Sequence, residues 1–180
     1  MKIEQRITWK KVEERLARET SPKLRRNLET VLAHMKAEAR GDLEGLLRTM
    51  APNPSYTMYG PGPDTGPKNL AAVREFYKGF IDSDCWRLCM DVDRLVVDEH
   101  VVVTEGLMRI AYPGRVLRAL GHAVDDPDAY YLYEAHMAIF WPMDEQGRVV
   151  GEDSYTSRDG FEGIAGRKLR REDLPQSMAA

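Results

Sequence analysis

Between Leu24 and Ala39 the apolar residues Leu24, Leu28, Val31, Leu32, Met35 and Ala39 recur at helical spacing, which predicts an amphipathic helix. Ser21-Pro22 supplies an N-cap and a first-turn proline ahead of it, and Gly41 stops it. Asp42 can cap the next element, where Leu43, Leu46, Leu47 and Met50 predict a short second helix ended by Pro52 and Pro54. Ser55 to Tyr59 is β-prone and leads into the proline-rich loop from Gly60 to Gly66. Leu70, Val73, Phe76, Tyr77, Phe80 and Ile81 then fall within roughly 150° of arc and predict a third helix. From Asp91 the period shortens to that of strands. DVDRLVVDE and VVVTEGLMRIAY predict a hairpin turning at Asp98 to His100, and YYLYEAHMAIFWP with RVVGEDSYTS predicts another around Asp144 to Gly147. Residues 113–129 read as irregular. Upstream, Ile3, Ile7, Trp9, Val12 and Leu16 do not form one clean stripe, so residues 1–22 read as a helical arm that needs a partner surface. Residues 23–158 form the expected domain, and residues 159–180, rich in Arg, Lys and Glu, read as a tail.

Helices first and long strands afterwards predict an α+β fold, an antiparallel sheet with helices packed on one face. The 180 residues suffice for one such domain. A net charge of -3 and a pI near 5.9 provide no basic surface for nucleic acid or anionic lipid. No apolar run reaches the ~20 residues of a membrane span, and the charged first twenty residues are unlike a secretory signal, so a cytoplasmic location is expected. Cys85 and Cys89 are too few for a disulfide framework and read as reduced thiols. The GPGPDTGPK loop lacks the GxxxxGK[ST] order of a phosphate loop, and its prolines remove donors. No GxSxG or HExxH occurs, and His34, His100, His122 and His136 are scattered singly, so neither a metal nor a cofactor is expected.

The run VLAHMKAEARGDLEGLLRTMAPNPSYTMYGPG, the segment NLAAVREFYKGF and the closing strand GRVVGEDSYTS resemble the nuclear transport factor 2-like superfamily, and within it the SnoaL-like polyketide cyclase branch. The resemblance covers roughly residues 24 to 158 and implies a cone-shaped, curved sheet over three helices around a pocket. It also implies a homodimer through the sheet's outer face. The same scaffold hosts many chemistries, so it names no reaction.

Candidate chemistry lies in polar residues that interrupt apolar patterns. Glu105 breaks VVVTEGLMRI and Asp153 breaks VVGEDSY; a carboxyl group facing an apolar interior would have a raised pKa suited to proton transfer. Strand parity leaves open whether each faces inward, and Glu152 competes with Asp153 for the inward position. His34 lies one helical turn before Glu38, a spacing at which a carboxylate can orient an imidazole. On the strand from Tyr130, Tyr133, Ala135, Met137, Ile139 and Trp141 share the more apolar face, which places His136 on the opposite one unless a second subunit covers both.

Tyr59 is the preferred hydroxyl for stabilising negative charge on oxygen, with His34 or His136 relaying a proton. Tyr56, Tyr77, Trp86 and Tyr133 are expected to line the pocket. These readings point to a cofactor-independent acid/base enzyme acting on a hydrophobic carbonyl or polyketide-like compound. Asp153 or Glu105 would be its acid or base. The alternative is a protein that binds a hydrophobic ligand, or a dimeric assembly module, without turnover.

Overall fold

A computed structural model describes residues 2–60 and 62–175. Helices α1 (Ile7–Arg18), α2 (Pro22–Glu38) and α3 (Leu43–Arg48) come first, followed by β1 (Thr57–Tyr59) and α4 (Leu70–Asp82). Strands β2 (Leu88–Val97) and β3 (Val101–Pro113), the short α5 (Gly114–Ala119), β4 (Tyr130–Pro142) and β5 (Asp153–Thr156) complete the core. Asp42 caps α3 by accepting a hydrogen bond from the Gly45 amide, and Asn69 caps α4 through the Ala72 amide. The stretch read as irregular thus contains a helix, α5, too short to give a periodic signal.

The sheet order is β1-β5-β4-β3-β2, antiparallel except for the parallel β1/β5 pair. The expected second hairpin is only partly paired. The Val150 amide still donates to the Pro142 carbonyl, but on the strand's other edge the Ser55 and Thr57 amides donate to the Val150 and Glu152 carbonyls. This contact carries β1 alongside β5 and fixes Tyr56 next to Glu152. Asp93 forms a bulge in β2 opposite Gly106, and such an extra residue bends the ladder toward the curved, cone-like form. Gly106 is required there, because a Cβ would lie 2.0 Å from the Asp91 carbonyl oxygen.

The inner face of the sheet and the helices share one core. Leu28, Val31 and Met35 of α2 meet Val73 of α4, Met90 of β2, Val102 of β3, and Ile139 and Trp141 of β4. Burying each large apolar side chain contributes roughly 1.5–3 kcal/mol. Helix α1 docks on β2 and α2, sends Trp9 and Val12 into this core, and accepts the Met90 amide on the Thr8 hydroxyl at 3.1 Å.

Residues 159–175 do not trail away as a tail. Leu169 and Leu174 pack with Ile3, Cys89, Ala111 and Leu132 on the outer sheet face. There the Leu169 amide donates to the Tyr130 carbonyl and the Ile3 amide to the Asp173 carbonyl. Ile164 packs with Leu117 of α5, Val124 and Tyr131 on the inner face. Cys85 and Cys89 are buried free thiols. No helix among the described residues is long and apolar enough to cross a membrane.

Two glycine substitutions separate steric need from mere tolerance. Gly106→Ala is expected to lower stability by on the order of 2 kcal/mol through the backbone clash. Gly79→Ala, within α4 and open around its Cβ position, should raise it by ~0.5–1 kcal/mol. Urea denaturation of both variants checks the opposite signs.

Candidate active site

Alternation along the strands decides which side chains meet. In β3 it turns Met108, Ile110 and Tyr112 inward, in β4 Tyr133, Met137 and Ile139, and at β5 Glu152, Ser154 and Thr156. With Phe76, Tyr77 and Phe80 of α4, they enclose a cavity of about 310 Å³. Its wall is mainly apolar and aromatic. Glu38 and Glu152 are the charged side chains among its described lining residues.

Glu152 stands at the end where α2, α4 and the sheet converge. Its Oε1 accepts a hydrogen bond from the Tyr77 hydroxyl at 2.7 Å and lies 3.2 Å from His34 Nε2. The fully buried His34 is held on its other side by Thr49 Oγ1, 2.8 Å from Nδ1. Thr49 gives its own proton to the Leu46 carbonyl at 2.6 Å, so it must accept from Nδ1–H. A neutral ring would then aim a bare nitrogen at the carboxylate. Nε2 faces both Glu152 Oε1 and, at 3.1 Å, the Tyr77 hydroxyl, and a ring protonated there donates to the carboxylate. Tyr56 completes the group, with its hydroxyl 3.1 Å from that of Tyr77.

The two carboxyl groups experience opposite environments. Burial pushes Glu152 up, but the His34 hydrogen bond and charge, helped by the two tyrosine hydroxyls, hold it below the ordinary carboxylate range. The carboxyl group of Glu38, at the last position of α2, makes no hydrogen bond or ion pair among the described residues. Burial, reinforced by the negative charge of Glu152, raises its pKa to about 8. At neutral pH one carboxyl is ionised and the other carries a proton, the arrangement acid/base chemistry needs. Burial and the Glu152 charge also move both tyrosine hydroxyls well above their usual range, so they act as neutral donors.

The structure brings His34, Tyr56, Tyr77 and Tyr133 to the cavity or its immediate backing and places the other sequence candidates elsewhere. Asp153 pairs with Phe140 in register and shares the outer sheet face with it, so the inward position belongs to Glu152. Glu105 also lies on the outer face, bound to Arg94 and His136. The Arg94 guanidinium lowers its carboxyl pKa, the reverse of the shift expected for a group in a greasy pocket. His136 is therefore an outer-face residue as well. Tyr59 is 47% exposed and stacks on Tyr155 with ring centroids 4.4 Å apart. Trp86 packs under the Arg87 guanidinium at 4.7 Å, away from the cavity lining. His34 is oriented by Glu152, Tyr77 and Thr49 rather than by Glu38.

Thr49, Tyr112 and Phe161 carried no sequence signal as site residues. Thr49 ends a short helix, Tyr112 looks like an ordinary strand residue, and Phe161 comes from the segment read as a tail. Among the described residues no three His, Cys, Asp or Glu side chains gather as a metal site requires.

A family model for the SnoaL-like domain matches residues 31–150. No curated protein matches the chain. Among solved structures, a candidate SnoaL-like polyketide cyclase from Jannaschia sp. CCS1 superposes with a TM-score of 0.59 at 17% identity, over 78% of this chain and 91% of that one. A nuclear transport factor 2-like protein from Burkholderia xenovorans LB400 gives 0.56 at 14% identity, over 79% and 97%. SalBIII, an epoxide hydrolase/cyclase-like enzyme in pyran ring formation in the polyether salinomycin, gives 0.53 at 11% identity, over 73% and 90%. At these identities the likeness is one of fold. The family match spans α2 to the approach of β5, the elements that hold His34, Glu38, Tyr56, Tyr77 and the cavity strands, and on that match the chain belongs to the SnoaL-like domain family.

Proposed function

We propose that the protein is a cofactor-independent enzyme that moves protons on a hydrophobic carbonyl or polyketide-like compound, in an isomerisation, cyclisation, dehydration or hydrolysis. The observation that carries this reading is the Glu38/Glu152 pair on one apolar cavity, an unpartnered protonated carboxyl beside a held carboxylate. Glu152 takes a proton from carbon or from an attacking hydroxyl, and Glu38 gives one to the oxygen that gains charge. Tyr77 and Tyr56 supply hydroxyl donors to developing negative charge. His34 is a positioning residue: fixed by Thr49, it keeps Glu152 ionised. Ring closure in SalBIII is one example of chemistry that this kind of scaffold supports.

The assembly proposed with this function is a homodimer through the open end of the outer sheet face. Val96, Phe140, Tyr155 and Tyr59 are exposed there, whereas the chain's own ends cover the other end of that face.

The acid/base reading is tested with 2-decalone, a bicyclic ketone of suitable size, in deuterated buffer, following exchange of the α-protons by NMR. Exchange above the buffer rate is expected, and Glu152→Gln should slow it ~10²–10⁴-fold. Saturable binding of the ketone without exchange would support a purely ligand-binding protein.

The rate should require ionised Glu152 and protonated Glu38. It falls at acid pH as Glu152 gains its proton, and at alkaline pH through about 8 as Glu38 loses its own. Glu38→Gln should remove the alkaline limb.

Stability carries the same signature. Because folding raises the pKa of Glu38 from 4.5 to about 8, the folded state holds the extra proton within that window, and stability falls as pH rises through it. The slope approaches ~1.4 kcal/mol per pH unit. Glu38→Gln should flatten this dependence, measured by urea denaturation at pH 5 and pH 8.

A further inference from the structure

The end of the cavity away from Glu38 and Glu152 is built differently. Tyr112 of β3 and Tyr133 of β4 line it with ring centroids 5.8 Å apart, and neither hydroxyl has a hydrogen-bond partner among the described residues. Both side chains are half-buried, and their hydroxyls stand on the cavity wall as donors that nothing among the described residues occupies. Burial raises both hydroxyl pKa values, so each is a neutral donor at physiological pH.

These two rings are fixed in place. Phe161 packs edge-on against both, with centroid distances of 5.0 Å to Tyr112 and 4.8 Å to Tyr133. His122 stacks on Phe161 at 4.9 Å and an interplanar angle of 23°. Gly160 lies so close to the Tyr133 ring that a Cβ there would come within 2.3 Å of it. Phe161 and Gly160 both follow the residues matched by the family model, so this end of the cavity is closed by a part of the chain outside that match. Between the two ends the wall is apolar, with Met108, Ile110, Met137 and Phe80.

We propose that Tyr112 and Tyr133 form a second binding point that donates hydrogen bonds to a carbonyl oxygen at the end of the substrate remote from its reacting carbon. The cavity as a whole fits a neutral compound, apolar in the middle, with an oxygen acceptor at each end. An anionic group is disfavoured, because no Lys or Arg is among the described lining residues and two carboxyl groups are. This inference rests on the reading of Glu38 and Glu152 as the reacting end, and its test is arranged to fail separately from that reading.

The probes are 2-decalone, with one carbonyl, and 2,6-decalindione, with a second at the opposite end of the same rings. Dissociation constants from isothermal titration are compared for the wild type and the Tyr112→Phe/Tyr133→Phe double variant. The wild type should bind the diketone ~10-fold more tightly than the monoketone. The double variant should lose that preference while binding 2-decalone as before. Equal affinities in the wild type, a preference that survives in the double variant, or equal weakening of both ketones would overturn the proposal; the last would mark the two tyrosines as structural. Each single Tyr→Phe variant should lose part of the preference, and its thermal unfolding checks that the fold is intact. Deuterium exchange by the double variant separates the two readings. Retained exchange alongside a failed preference sinks the second binding point and leaves the acid/base pair standing.

Discussion

A buried carboxylate must be matched by donors or give up its charge, and the inner end of the cone is organised around that requirement at Glu152. Tyr77 donates to one oxygen, His34 Nε2 stands 3.2 Å from the same oxygen, and Thr49 fixes the imidazole from behind so that Nε2 faces the carboxylate. Burial against the apolar wall, reinforced by the charge of Glu152, raises the Glu38 pKa to about 8. Two glutamates on one cavity thus have opposite shifts.

The scaffold makes this possible by separating two faces of one sheet. On the inner face, alternation in β3, β4 and β5 delivers Met, Ile and Tyr side chains to the cavity, and the bulge opposite Gly106 bends the ladder around it. On its outer face the sheet carries Glu105 between Arg94 and His136 and the exposed aromatic group of Tyr59, Phe140 and Tyr155. Salt bridges at such a surface contribute little to stability, so the outer charges serve solubility or an interface more than the fold. The chain ends add a further layer. Ile3 and Leu169 cover part of the outer face, while Phe161 closes the inner cavity.

Much of the fold is legible from local pattern. The stripe from Leu24 to Ala39 and that from Leu70 to Ile81 appear as α2 and α4, and the hairpin turning at Asp98 to His100 appears as β2 and β3. In each case one face or one turn repeats often enough to overcome single-residue noise. The candidate site was legible only in part. His34, Tyr56, Tyr77 and Tyr133 sit on or behind the cavity wall, but Glu105, Asp153, Tyr59, His136 and Trp86 do not. Strand parity is a choice between two faces, and Asp153 and Glu152 are neighbours on opposite sides of that choice. Glu38 was visible only as a helical neighbour of His34, because its real partner in electrostatics lies more than a hundred residues away at Glu152.

The order of apolar and polar residues by itself determined α2, α3 and α4, the two long paired strands and the α+β class, since these depend on contacts within a few positions or across one turn. Only the tertiary structure decided which face of β5 looks inward, which carboxyl keeps its charge, and that a segment reading as a polar tail would close the cavity with Phe161. Those outcomes depend on desolvation and on partners brought together from distant parts of the chain, quantities that no local spacing encodes.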